Sequence, residues 1–178
     1  VVAEALLWGA LLAGDAGLDR QAPEYEVKAH LLYNLSTTTA FTWPDSAFEK
    51  KESPFVLGIL GSDPFGEEID LACKGRSAQD RPIVIRRFKT LDSLETCHLL
   101  FISRSEKTNV ARILAKVRGK PTLTVGEVDG FPAAGGAINF YVEESRVRFE
   151  INPKAAKRSG LTIRAKLLEL GRIAEESP

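Results

Sequence analysis

The chain is short of nearly everything that would mark a catalyst. Its 178 residues include two histidines, two cysteines and no methionine. His30, His98, Cys73 and Cys97 form no H-x-x-x-H or C-x-x-C spacing, which argues against a zinc site. There is no G-x-S-x-G elbow, and no glycine-rich loop is followed by Lys-Ser or Lys-Thr. An excess of one charge is missing too. The 24 basic and 24 acidic side chains leave a formal net charge of zero, so no nucleic-acid partner is expected. Beyond the first 20 residues there is no apolar run of about 18, so the body of the chain does not cross a bilayer. No catalytic residue, metal or cofactor is expected from these features.

What is present is an ordinary globular mix, 44% hydrophobic and 27% charged, with length for one domain and a sizeable core. The run Ala5 to Ala13 is apolar but too short to span, and Gly14-Asp15-Ala16 after it suits a signal peptidase. Residues 1–23 therefore read as a signal-peptide-like leader and spacer, residues 24–174 as the domain and residues 175–178 as a tail. The other reading of the leader is an amphipathic helix packed on the domain, since Glu4 stands where a basic residue is expected and the chain opens with Val.

The middle of the chain alternates strands and helices. Pro54 to Gly61, Arg81 to Phe88, Cys97 to Ser103 and Pro121 to Val125 are short apolar runs, separated by stretches of helical character. Such alternation predicts a mainly parallel sheet flanked by helices. Ala137 to Glu143 and Val147 to Asn152 read as an antiparallel hairpin at a sheet edge. Before the sheet, Glu24 to about Phe41 reads as a helix, with Val27, Leu31, Leu32 and Leu35 at helical spacing. After it, Leu161 to Ile173 reads as a final amphipathic helix. The fold class is thus a single α/β domain.

The loop Gly61 to Gly66 resembles a phosphate cradle only weakly. Asp63 before Pro64 fits a helix N-cap with proline at the first helical position. Ser103 and Glu106 have capping-box spacing. Cys97 and His98 are neighbours in a strand, so they point to opposite faces and form no dyad. Cys73 ends the helix after the first strand and Cys97 begins the third, which puts both at one end of the sheet. If those strands are neighbours, a Cys73–Cys97 disulfide is feasible. It would close a loop of about 25 residues and contribute roughly 3 to 4 kcal/mol. The alternative is two buried free thiols.

Several segments, taken in order, are similar to the YfiR family of small exported proteins. They include Val27-Lys28-Ala29 with Leu32-Tyr33-Asn34, Trp43-Pro44, Asp63-Pro64-Phe65-Gly66, Cys97-His98 and Leu100-Phe101-Ile102-Ser103. They continue through Gly130-Phe131, Gly135-Gly136, Ile138-Asn139-Phe140, Phe149-Glu150-Ile151-Asn152, Gly160-Leu161 and Lys166-Leu167-Leu168. The resemblance runs from about Tyr25 to Ile173. It implies a periplasmic α/β protein that binds and represses an inner-membrane diguanylate cyclase, lowering cyclic di-GMP and biofilm formation. It implies no catalytic residue. Thr37-Thr38-Thr39, Gly126-Glu127, Thr162 and Arg164-Ala165 depart from the family pattern.

The expected partner is therefore an inner-membrane sensor protein, with a homodimer left open. Two surfaces are candidates for the contact. One is the first helix at Tyr33, Thr37 and Phe41, and the other is the basic patch with Lys154 and Arg164. A rival reading is a periplasmic small-ligand binder with its pocket at the carboxyl ends of the strands, formed by Ser62, Ser103, Glu127, Phe131, Gly135 and Gly136. An enzyme using that same cleft is a third.

Overall fold

Four short apolar runs lie side by side and set the centre of the molecule. The computed structural model describes residues 22–175. The expected leader therefore lies outside the described residues, apart from Ala22 and Pro23, as does the tail after Glu175. In chain order the elements are α1 (Ala22–Ser36), β1 (Phe41–Thr42), β2 (Phe55–Leu60), α2 (Glu68–Cys73), β3 (Ser77–Ala78), β4 (Arg81–Phe88) and β5 (Leu99–Ile102). A 3-10 turn (Arg104–Asn109) then leads into α3 (Val110–Val117) and β6 (Leu123–Gly126). The chain finishes with β7 (Ile138–Glu143), β8 (Arg146–Ile151), α4 (Pro153–Arg158), β9 (Thr162–Ile163), α5 (Ala165–Leu170) and β10 (Arg172–Ile173).

The main sheet has eight strands in the order β10-β8-β7-β6-β5-β2-β4-β3. β4, β2, β5, β6 and β7 run parallel, while β8 returns antiparallel to β7 as the expected edge hairpin. A small antiparallel sheet joins β1 to β9. The expected mainly parallel α/β domain with a C-terminal hairpin is what forms. β2 and β5 are neighbours, with helices on both faces, as in doubly wound folds.

Side chains alternate between the two faces of the parallel strands. Phe55, Leu57 and Ile59 of β2, with Leu99, Phe101, Leu123 and Val125, pack against Leu31, Leu32 and Leu35 of α1 and Ile69 and Ala72 of α2. Val56, Leu60, Leu100 and Ile102 point the other way, onto Val110, Ile113 and Val117 of α3 and onto Phe131.

This division separates the cysteines. Cys73 belongs to the core on the α1/α2 side and Cys97 to the core on the α3 side, and both are buried free thiols. The expected Cys73–Cys97 bridge is not formed. The cause is local: β5 starts at Leu99, and a bend at His98 precedes it. Strict alternation would give Cys97 the face of Leu99 and Phe101. The bend turns it to the opposite face, against Gly58 and Leu100, where a Cβ added at Gly58 would lie 3.1 Å from Cys97 Sγ.

The end of the chain also departs from expectation. Leu161 to Ile173 is not one helix but strand, helix and strand. Ile163 leaves helical geometry to pair with Phe41 across the small sheet. Gly171 ends α5 close against the hairpin, where a Cβ would lie 2.6 Å from the Phe149 ring and 2.9 Å from Ile151. Between the hairpin and β9, α4 is opened by Asn152, whose side chain accepts the Ala155 N–H at 3.1 Å, and by Pro153. α1 stops at Ser36, where the threonine run begins and Thr37 Oγ1 donates to Asn34 O at 2.7 Å.

His98 is fixed by its neighbours. Its Nδ1 accepts the Val56 N–H at 2.9 Å, so Nε2 carries the proton that meets Ala47 O at 3.0 Å. The ring is stacked between Phe48 and Phe55, with centroids at 4.5 and 5.1 Å. Burial lowers the His98 pKa from 6.5, and the nearby Arg81 charge acts in the same direction.

Two predictions follow from this packing. Thiol titration in denaturant without reductant counts both cysteines as free, and a count of zero would establish a bridge. In the folded protein both react slowly, because burial raises the Cys73 pKa to about 11 and the Cys97 pKa to about 12. For His98 the unfolded chain takes up a proton as pH falls through 6.5, while the folded chain resists it. His98 therefore contributes full stability above that pH and progressively less below it, with a slope approaching about 1.4 kcal/mol per pH unit. Denaturant melts between pH 8 and pH 5.5 should show this slope, and His98→Asn should flatten it. An equal slope in the variant rules His98 out as its source.

Candidate functional site

Open parallel sheets bind ligands at the carboxyl ends of their strands, beside the point where strand order reverses. Here that point lies between β2 and β5, and the chain's own side chains occupy it. Gly61 follows β2 at φ +94, a conformation that favours glycine. A Cβ there would lie 2.4 Å from Ser105 Oγ, which itself accepts the Ser62 N–H at 2.9 Å. Ser103, buried at the end of β5, accepts from Ser105 N at 3.4 Å. Glu106 does not reach back to complete the expected capping box. It accepts instead from Asn109 Nδ2 at 2.9 Å.

One strand further on, Glu127 leaves β6 with its side chain 1% exposed. Lys28 of α1, equally buried, places Nζ 2.8 Å from Glu127 Oε2. The Tyr25 hydroxyl donates to the same carboxylate at 3.2 Å, and the Arg104 N–H donates at 3.2 Å. Lys28 also pairs with Glu24 one turn earlier and lies 4.7 Å over the Tyr25 ring. Burial raises the Tyr25 pKa to about 12, with the Glu127 and Glu24 charges adding to the effect. Tyr25 therefore acts as a hydrogen-bond donor at neutral pH.

Ser62, Ser103 and Glu127 are thus linked through Ser105 and the Arg104 N–H. Phe131 is fully buried, in the core of the α3 side. Gly126 and Gly136 flank its ring so closely that a Cβ at either would lie 2.7 or 2.1 Å from it. Gly135 faces elsewhere, onto a cavity of about 300 Å3 with Arg118, Thr124 and Ser159. Asp63 forms a turn, its Oδ1 accepting Phe65 N at 2.8 Å, and α2 begins only at Glu68. Its other oxygen takes Arg87 Nε at 2.6 Å, and Arg87 also holds Asp70 at 2.6 Å.

The two surfaces expected to meet a partner prove to be adjacent. Arg164 donates through Nε to Thr38 O at 3.0 Å and through its backbone N–H to Ala40 O at 2.9 Å, which ties it to the end of α1. Lys154 is exposed on the first turn of α4. Thr37 is half-buried, and Tyr33 is half-buried beneath the Arg76 guanidinium at 4.8 Å. Phe41 is corrected: it has no exposed surface, pairs with Ile163 and packs edge-on against Trp43. It cannot touch a partner.

Tyr25, Lys28 and Ser105 were absent from the expected site. Lys28 did carry a signal, since it lies three and four residues before Leu31 and Leu32, on the helix face that packs inward. Among the described residues no cluster of three or more His, Cys, Asp or Glu could hold a metal, and no helix is long and apolar enough to cross a membrane.

A family model described as YfiR/HmsC-like matches residues 25–172, nearly the whole described chain. The chain belongs to that family. No curated protein matches it. Among solved structures it is similar to the ABC domain in complex with L-Trp from Streptococcus pneumonia, at 10% identity and a TM-score of 0.51. The alignment covers 67% of this chain and 55% of that one, so the chain spans about half of the other's length. At that identity the likeness is one of fold alone.

The buried pair generates a prediction about stability. Lys28→Met leaves Glu127 buried without its cation and should cost about 3–5 kcal/mol in chemical denaturation. Adding Glu127→Leu removes the stranded charge and should recover most of that loss. A double variant as unstable as the single one would show that the loss is not electrostatic.

Proposed function

We propose that this YfiR/HmsC-like chain works outside the cytoplasm as a binding regulator that represses a membrane-bound diguanylate cyclase. The observation that carries the reading is the family match across residues 25–172, which takes in every element of the main sheet up to Arg172. The geometry is in keeping with a protein that acts by contact. The carboxyl ends of the strands, where this architecture otherwise takes small ligands, are filled by Ser105, Lys28 and the loop around Phe131. Basic and hydroxyl side chains instead face solvent around the end of α1.

The contact surface is assigned to Thr37 and Arg164, with Tyr33 and Lys154 at its margins. Arg164 and Lys154 bring positive charge to a surface that otherwise presents threonines and backbone carbonyls. Such charges act on association rate and salt dependence more than on the fold.

Deleting the gene should raise cellular cyclic di-GMP, and restoring an exported chain should lower it again. An unchanged level after deletion, or full restoration by a chain retained in the cytoplasm, overturns the reading. With both sites reversed, Lys154→Glu and Arg164→Glu, restoration should weaken while the melting temperature stays near the parent's. Full restoration by that variant removes the patch from the interface.

A further inference from the structure

The charge of the chain is balanced in total but not in place. Residues 104–120 carry six basic side chains and one acid, Glu106, so the rest of a chain with no net charge is acidic. This segment is the 3-10 turn and α3, with Arg118 and Lys120 following directly. Val110, Ile113 and Val117 face the core, while Arg104, Lys107, Arg112, Lys116, Arg118 and Lys120 are all exposed. Arg112 and Lys116 stand one turn apart, beside the small exposed side chains of Ala111 and Ala115. Arg118 and Arg158 of α4 line the same cavity of about 300 Å3, so the basic surface continues onto α4.

The helix itself does not account for these charges. Its dipole favours cations in the last turn, as at Lys116, but acids at the start, where Arg104 and Lys107 stand. Neighbouring acids are engaged. Glu106 accepts from Asn109, and Glu95, which shares a hollow with Lys116 and Lys120, pairs with Arg86. Lys116 Nζ donates to Leu91 O at 2.6 Å and keeps its charge. Among the described residues the exposed large apolar side chains are Leu71, Val84, Val142, Leu168 and Ile173, and none belongs to this segment. A stable protein interface is built round buried aromatic and aliphatic anchors. A basic surface without them suits a flat anionic one, where each cation acts through the surface potential.

We propose that the α3 face adsorbs the protein to a bilayer surface of anionic phospholipids. The contact is electrostatic and peripheral: guanidinium and ammonium groups meet lipid phosphates, and no side chain enters the acyl region. The acidic remainder of the chain does not prevent it. A domain of this length is roughly 40 Å across, several times the Debye length of about 10 Å at 0.1 M salt, so the lipid responds to the near face. Adsorption needs only the isolated chain and lipid, so it stands or falls apart from the cyclase reading.

The test is co-sedimentation of the chain with two kinds of vesicle, phosphatidylcholine alone and equal parts phosphatidylcholine and phosphatidylglycerol. The chain should pellet with the anionic vesicles and stay in solution with the neutral ones. Salt at 1 M, where the Debye length is about 3 Å, should release it. Lys107→Gln with Arg112→Gln should weaken the partition about 25-fold, at roughly fivefold per cation near the surface. Lys74→Gln with Lys166→Gln removes as much charge from α2 and α5, whose buried residues belong to the opposite core, and should leave it unchanged. Equal pelleting with neutral vesicles, retention at high salt, or equal losses in the two double variants would each overturn the proposal. Failure to pellet with anionic vesicles at low salt also overturns it, and leaves an acidic protein as the occupant of this face. The lipid and salt comparisons on the parent chain decide the matter if the first double variant fails to fold.

Discussion

Two charges that water cannot reach organise the carboxyl end of the sheet. Taking Lys28 and Glu127 out of water costs several kcal/mol per ion, and their attraction offsets that only when the remaining lone pairs and protons are also satisfied. The structure meets the condition with three partners. Tyr25 and Glu24 come from the same helix as Lys28, and the Arg104 N–H comes from the turn after β5. Each partner fixes something else in place. The lysine sets the rotation of α1 over the sheet, the glutamate sets the exit of β6, and the amide sets the start of the turn that leads to α3. Apolar packing alone would hold α1 on the sheet but would let it slide and rotate, because dispersion has little directional demand. A buried ion pair with fixed hydrogen bonds does not.

That constraint decides which part of α1 is left for solvent. With Lys28 drawn into the end of the sheet, the first turns of α1 are spent on the interior, and Ala29, Leu31, Leu32 and Leu35 continue the buried face. The helix of 15 residues is about 22 Å long. Its far end emerges at Thr37 to Thr39, where Arg164 meets it. The surface proposed for a partner therefore lies away from the strand termini, the customary binding place in this architecture.

Much of the fold could be read from the chain. The parallel strands announced themselves as short apolar runs, and the edge hairpin through its alternating pattern, because both depend on local periodicity. The failures come from single residues whose geometry is set by distant contacts. The bend at His98, imposed by its bonds to Val56 and Ala47 and its place between Phe48 and Phe55, reverses the face of Cys97. Ile163 has helical neighbours on both sides in sequence, yet it is claimed by Phe41, more than a hundred residues away. Phe41 looked like the outer face of a helix only because the helix was drawn one turn too long. In the site, Ser103 and Glu127 could be found from the ends of their strands. Lys28 could have been found from its place among leucines. No local pattern marks Ser105 as the group that closes the loop after Gly61.

The broken final helix links the two regions that face outward. Its first residues pair β9 with β1 and anchor Arg164 to the end of α1, and its last residues pair β10 with β8 and place Arg172 on Tyr141. Between them α5 is a rigid six-residue rod, held down by Leu167, which is buried in the core. Leu170 also packs against the core, and the flanking residues are held by both sheets. Had residues 161–173 formed one continuous helix, neither sheet would receive an edge strand from this segment and its two ends would be uncoupled from the strands they now complete. The interruption at Ile163 and Gly171 is therefore what lets one short segment complete both sheets.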